Sequence, residues 1–202
     1  YPFLAAETTL PAPRENETFR IDVTLNGELD NDWAWMTSLA YSANDYTIVQ
    51  PDLSATRLDA ATAGNGGPSG NLQYNPFDPL DEDNLAIRDW AALEFGSKTS
   101  TNLLVWDGII NGELFEMEHG VASFAFGGQI RSESYQVDPN DVTEIKYDAQ
   151  GKPISNDFLF LGGVNHVDES RTAYALFAEA EFPLAPGLDV NAALRYEELD
   201  TA

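Results

Sequence analysis

Leu188-Asp189-Val190-Asn191-Ala192-Ala193-Leu194-Arg195-Tyr196-Glu197 places an apolar side chain at every second position, with polar, charged or small residues between. That repeat belongs to a β-strand with one greasy and one wet face, because successive side chains of an extended chain point to opposite sides. About five other segments repeat it. A first hairpin is expected over residues 18–45, with Phe19, Ile21, Val23 and Leu25 opposite Arg20, Asp22 and Thr24. Asn26-Gly27 supplies residues that tolerate positive φ for its turn. The return strand carries Trp33, Trp35, Leu39 and Tyr41 in one register, although Met36 sits on the wrong side.

A second hairpin is expected over residues 99–135. Leu104, Trp106, Ile110 and Leu114 alternate with Val105, Asp107, Asn111 and Glu113, then Ala122, Phe124, Phe126 and Ile130 with Ser123, Gln129, Arg131 and Glu133. A third begins near residue 171, where Tyr174, Leu176, Ala180 and Phe182 alternate with Ala175, Phe177, Glu179 and Glu181. Long polar stretches, about 46–98 and 136–168, join these hairpins, and loops of that length inside a domain are normally functional. A short helix is expected over residues 84–95, with Leu85, Trp90 and Leu93 as its apolar positions.

Alternation does not say what covers the apolar face. A soluble sandwich buries it in a core, and a membrane barrel turns it to lipid. Three features favour the barrel. The strand patterns run to roughly 12 residues, whereas globular strands average about five or six. Tight and long connections alternate, as the two sides of an outer-membrane barrel require. Aromatic residues end the apolar rows: Trp33, Trp35, Phe115 and Phe182 near the tight turns, and Tyr41, Tyr135, Tyr174 and Tyr196 near the other end. The expectation is an all-β, antiparallel, up-and-down transmembrane barrel segment of about six long strands, incomplete as a barrel.

Composition narrows the function. A net charge of -24, from 34 acids against 10 bases, disfavours nucleic acid and basic-patch membrane binding. The absence of cysteine excludes disulfides and thiolate metal sites. No run reaches the roughly 18 apolar residues of a spanning helix. Residues 1–4 lack the basic start of a signal peptide, and both ends read as cuts inside a longer protein.

Catalytic and metal readings fare poorly. The stretch at residues 64–70 is Gly-rich without the Lys-Ser/Thr ending of a phosphate loop. Asp78, Asp81, Glu82 and Asp83, and Asp138 with Asp141, miss EF-hand spacing. His119 and His166 stand alone. Glu179 and Glu181 share a strand face and resemble a glycosidase pair, but they read better as part of a wet lumen with Arg20, Asp22, Asp107, Glu113, Arg131, Glu133, Asp189, Arg195 and Glu197. No enzyme activity, metal or cofactor is expected. In the long loops, Tyr46, Tyr74, Phe77, Trp90, Tyr147, Phe158 and Phe160 are candidate substrate contacts or loop-packing residues.

Several motifs resemble the barrel of TonB-dependent outer-membrane receptors. They are Asn26-Gly27-Glu28-Leu29 before Asp32-Trp33-Ala34-Trp35, Tyr74-Asn75-Pro76-Phe77, Gly112-Glu113-Leu114-Phe115 leading to Gly127-Gly128-Gln129-Ile130-Arg131, and the run from Tyr174 to Tyr196. The resemblance covers most of residues 14–199 and is strongest in the third hairpin. It implies a large barrel closed by an N-terminal plug, seated in outer-membrane lipid of a Gram-negative bacterium. Such a barrel imports a scarce bulky nutrient (ferric siderophore, cobalamin or oligosaccharide) with energy from the TonB complex. On that likeness the chain is mid-barrel, with the plug, the TonB-contacting box and the closing aromatic strand outside it. A plugless pore and a soluble carbohydrate-binding module are the rival expectations.

Overall fold

The computed structural model describes residues 11–29, 32–78 and 80–201. Residues 1–4, Pro79 and Ala202 lie outside them. Six long strands form one sheet: β1 Arg14–Glu28, β2 Ala34–Leu53, β3 Ala92–Met117, β4 Gly120–Pro139, β7 Val167–Ala185 and β8 Leu188–Thr201. Their order is β1-β2-β3-β4-β7-β8, so each strand pairs with its neighbour along the chain. Between β4 and β7 a small pair, β5 Lys146–Tyr147 and β6 Pro153–Ile154, makes a separate two-stranded sheet. Helices α1 Ala55–Thr62 and α2 Glu82–Ala91 lie between β2 and β3. The sheet is an open meander with β1 and β8 at its edges, an unclosed segment of barrel wall.

The alternation carries through to tertiary structure. In the β7–β8 register Leu176 pairs with Tyr196, Ala178 with Leu194 and Phe182 with Val190 on one face. Ala175 pairs with Glu197, Phe177 with Arg195 and Glu181 with Asn191 on the other. A sandwich would bury the first row, yet Ile21 is 54% exposed, Leu176 56% and Leu194 75%. In the six-stranded sheet that row lies bare, as in a segment of barrel wall and not as in a sandwich.

Three expectations change. Asn26-Gly27 is not the turn: β1 runs on to Glu28, and the chain reverses where Asp32 takes φ 60. The Leu29 amide bonds the Trp33 carbonyl at 2.8 Å across it. Gly27 serves a packing need instead, because a Cβ there would stand 2.8 Å from Trp35 Nε1. The strands also outlast their apolar patterns. β2 has 20 residues and β3 has 26, against about 9 to 11 needed for hydrocarbon. Backbone pairing does not require a greasy face, so residues 46–53 and 92–98, read as loop, continue the ladder. The helix expected at 84–95 starts earlier, at Glu82, and stops at Ala91, where β3 takes over.

Contacts divide the chain into two compact units. One comprises Tyr1–Glu17, Asp45–Thr99 and Gln136–Val167, and holds both helices and the small sheet. The other comprises Thr18–Asn44, Ser100–Tyr135 and Asp168–Ala202, and is all strand and tight turn.

Candidate functional site

In the all-strand unit the polar face carries a connected ladder of charged and amide groups. Gln129 Nε2 donates to Asp107 Oδ1 at 2.7 Å, and Arg195 Nη2 donates to Gln129 Oε1 at 3.4 Å. Arg195 Nη2 also lies 2.8 Å from Glu197 Oε2, and Arg131 Nη2 lies 3.6 Å from Glu197 Oε1. Glu133 completes the ladder between two guanidiniums, 2.6 Å from Arg131 Nε and 2.5 Å from Arg171 Nε. Arg131 on β4 reaches Glu197 on β8 past β7, where Ala173 and Ala175 supply small side chains, each 5% exposed. Three carboxylates meet three guanidiniums, so the ladder is neutral within a strongly acidic chain.

Exposed ion pairs contribute about 0 to 1 kcal/mol each, so the ladder's main effect is to hold long side chains in one pattern. A cavity of about 640 Å³ opens beside its Glu133–Arg171 end, with Thr18, Asn44, Thr101 and Tyr135 among its lining. Asn44 Nδ2 donates to Thr18 Oγ1 there at 2.7 Å.

Of the residues expected in the lumen, Asp107, Arg131, Glu133, Arg195 and Glu197 meet in the ladder. Arg20 and Asp22 form a separate exposed pair at 3.7 Å. Glu113, Glu179, Glu181 and Asp189 stand apart near the tight turns, and Glu179 and Glu181 line a second hollow of about 440 Å³ with Asn111 and Ser123. Arg171 escaped the sequence reading as a lumen residue; extending the two-residue repeat upward from Phe177 would have found it. Tyr135 falls in the same two-residue row as Arg131 and Glu133, and lines the cavity beside them instead of ending the apolar row.

In the other unit the loop aromatics divide by role. Tyr46 lies within β2, half-buried, and is not a loop residue. Phe158 is 7% exposed with its ring 6.0 Å from Phe95, so it packs the unit. Trp90 is half-buried under Arg57, whose guanidinium lies 5.7 Å from the ring. Tyr74 is half-buried beside α1, its amide bonding the Ala61 carbonyl at 2.9 Å. Phe77, Tyr147 and Phe160 face solvent, and Tyr147 donates its hydroxyl to Asn165 at 2.6 Å.

Phe77 is 93% exposed, and buried Asn84 explains how it stays presented. The Asn84 amide accepts the Asn75 N–H at 2.9 Å and donates to the carbonyls of Asn75 and Asp78 at 2.7 and 2.6 Å. Asn84→Ala orphans these groups, and about 1 to 3 kcal/mol of local stability is expected to go with them. Limited proteolysis should then cut at residues 75–80 well before it cuts the wild type.

A strap joins the second long loop to the first. Buried Asp52 accepts the amides of Phe160 and Leu161 at 3.1 and 2.7 Å. Asp157 accepts the Ser54 hydroxyl and, at 2.8 and 2.7 Å, the amide and hydroxyl of Thr56. Burial alone would raise the Asp157 pKa, but the Ser54 and Thr56 hydrogen bonds, with the Arg57 charge, outweigh it and hold the carboxyl below its ordinary range. A depressed folded-state pKa adds stability that is present above the ordinary carboxylate value and is lost as pH falls through the lower folded one. Tryptic cleavage at Arg57, scored after brief exposure to graded pH, should therefore stay slow through mildly acidic conditions and quicken only at strongly acidic pH.

Among the described residues no group of three or more His, Asp or Glu side chains is placed to hold a metal ion. His166 Nδ1 instead lies 3.1 Å from Asp138 Oδ1. Compared with known families, residues 4–202 match the model described as TonB dependent receptor-like, beta-barrel. No curated protein matches the chain.

Proposed function

Because the chain belongs to the TonB-dependent receptor-like β-barrel family, a family of outer-membrane receptors, we propose that it forms part of the wall of a receptor importing a scarce, bulky nutrient. The proposed process is transport, without a catalytic step. The observation that carries it is the six-stranded sheet whose apolar face lies bare beside a polar face of paired charges. Lipid is the solvent that suits the first face, and a wet lumen holding a plug suits the second.

Aromatic contacts bracket the bare face. Trp33 and Phe124 meet edge-on at 4.8 Å near the tight turns, and Phe19 lies 6.4 Å from Tyr41 at the other end. There the Tyr41 hydroxyl donates to Asn102, and Asn102 in turn to Ser134, at 2.9 and 3.2 Å. The eight steps from Trp33 to Tyr41 span roughly 26 Å along the strand at about 3.3 Å each. Tilted by about 40°, that run covers roughly 20 Å of depth, close to the apolar band of about 25 Å on such barrels.

Ligand capture falls to Phe77, Tyr147 and Phe160, and the ligand class among ferric siderophore, cobalamin and oligosaccharide is set by assay. Cells producing the intact protein take up labelled ligands of each class, with and without a working TonB complex. One class should accumulate only when TonB works, and the joint change Phe77→Ala, Tyr147→Ala, Phe160→Ala should reduce it at least tenfold. Uptake unaffected by loss of TonB would mark a passive pore and end the importer reading.

A further inference from the structure

Helix α1 has eight residues, too few to persist alone in water, and its cap comes from two places. Its own Ser54 Oγ accepts the Arg57 amide at 3.0 Å, while Asp157, about a hundred residues on, accepts the Thr56 amide at 2.8 Å. Two backbone bonds run alongside: Ala55 donates to the Asp157 carbonyl at 3.0 Å, and Leu159 to the Leu53 carbonyl at 2.9 Å. Helix α1 is tied onward to α2, because Arg57 Nη1 donates to the Trp90 carbonyl at 2.8 Å and the Ser54 amide to that of Ala91 at 2.7 Å.

We propose that the two long loops open and close as one piece, latched by the Asp157 carboxylate over the start of α1. Pulling residues 157–161 away would uncap the helix, expose Phe158 and strip the buried Asp52 carboxylate of two amide donors. Each loss makes the next easier, so no state with one loop open and the other intact is favoured. A ligand that moves either loop then moves both. This goes beyond the importer reading and does not depend on which ligand is carried.

Hydrogen exchange on the intact protein in detergent micelles tests it. Asp157→Ala should speed exchange at least tenfold in α1 and in residues 157–161 together. Asp148→Ala serves as the local control, since that carboxylate accepts the amides of Gln150 and Lys152 at 3.0 and 2.8 Å within the β5–β6 turn. It should speed its own hairpin and leave α1 at the wild-type rate. Thr56→Val removes one donor and keeps the backbone bond, so it should reproduce the joint change more weakly if Asp157→Ala does not fold. Acceleration confined to one loop, or an α1 as loosened by Asp148→Ala as by Asp157→Ala, would overturn the proposal.

Discussion

Leu194→Arg should cost the intact, membrane-inserted protein about 2 to 4 kcal/mol, the penalty for an arginine near mid-depth on a barrel's lipid face. Leu194 pairs with Ala178, midway along the β7 row between Tyr174 and Phe182, and is 75% exposed on the apolar face. At about 1.4 kcal/mol per tenfold, the folded-to-unfolded ratio extrapolated from urea titration in bilayer vesicles should fall by roughly 30- to 1000-fold. Its neighbour supplies the contrast. Ala193 pairs with Glu179 on the polar face, so Ala193→Arg adds a cation opposite a carboxylate and should stay within about 1 kcal/mol of wild type. Equal losses at 193 and 194 would mean that lipid does not cover the row of Leu194.

Gly127→Val is expected to be nearly as damaging for a different reason. A Cβ at Gly127 would lie 2.6 Å from the Gly108 carbonyl oxygen and 2.7 Å from Phe177 Cε2. The phenyl ring can swing away. The carbonyl belongs to the neighbouring strand and cannot move without breaking the ladder, so overpacking of about 1 to 3 kcal/mol follows. Pairing Gly127→Val with Phe177→Ala separates the two contributions. It should recover only part of the loss, because the backbone clash remains. Full recovery would show that the ring alone demands glycine there. Gly112 is in a similar position under Trp33, whose Cγ would meet its Cβ at 2.8 Å, and the same urea titration should find Gly112→Val destabilised.

The importance of such glycines was hidden in the sequence. Asn26-Gly27 has the composition of a hairpin turn, and local chemistry alone supports that reading. The turn instead falls at Asp32, because Trp35 needs the space over Gly27 and β1 pairs on to Glu28. The long loops are shorter than the apolar pattern implies for a related reason. Apolar alternation reports where a strand meets hydrocarbon or a core, and β2 and β3 continue pairing where neither is present. Helix α1 left little trace, since its short, weakly amphipathic sequence depends on a cap from the other loop.

What the linear chain determined was the number of long strands, their faces and the row left for lipid. Side-chain direction alternates with backbone geometry, and a two-residue period survives any packing. Tertiary structure decided which polar-face residues meet. Arg131, Glu133, Arg171, Arg195 and Glu197 come from three strands, and only register brings their charges within reach. It decided as well that Phe158 packs inward while Phe77 stands out, because burial of an aromatic loop residue depends on what a distant segment places against it.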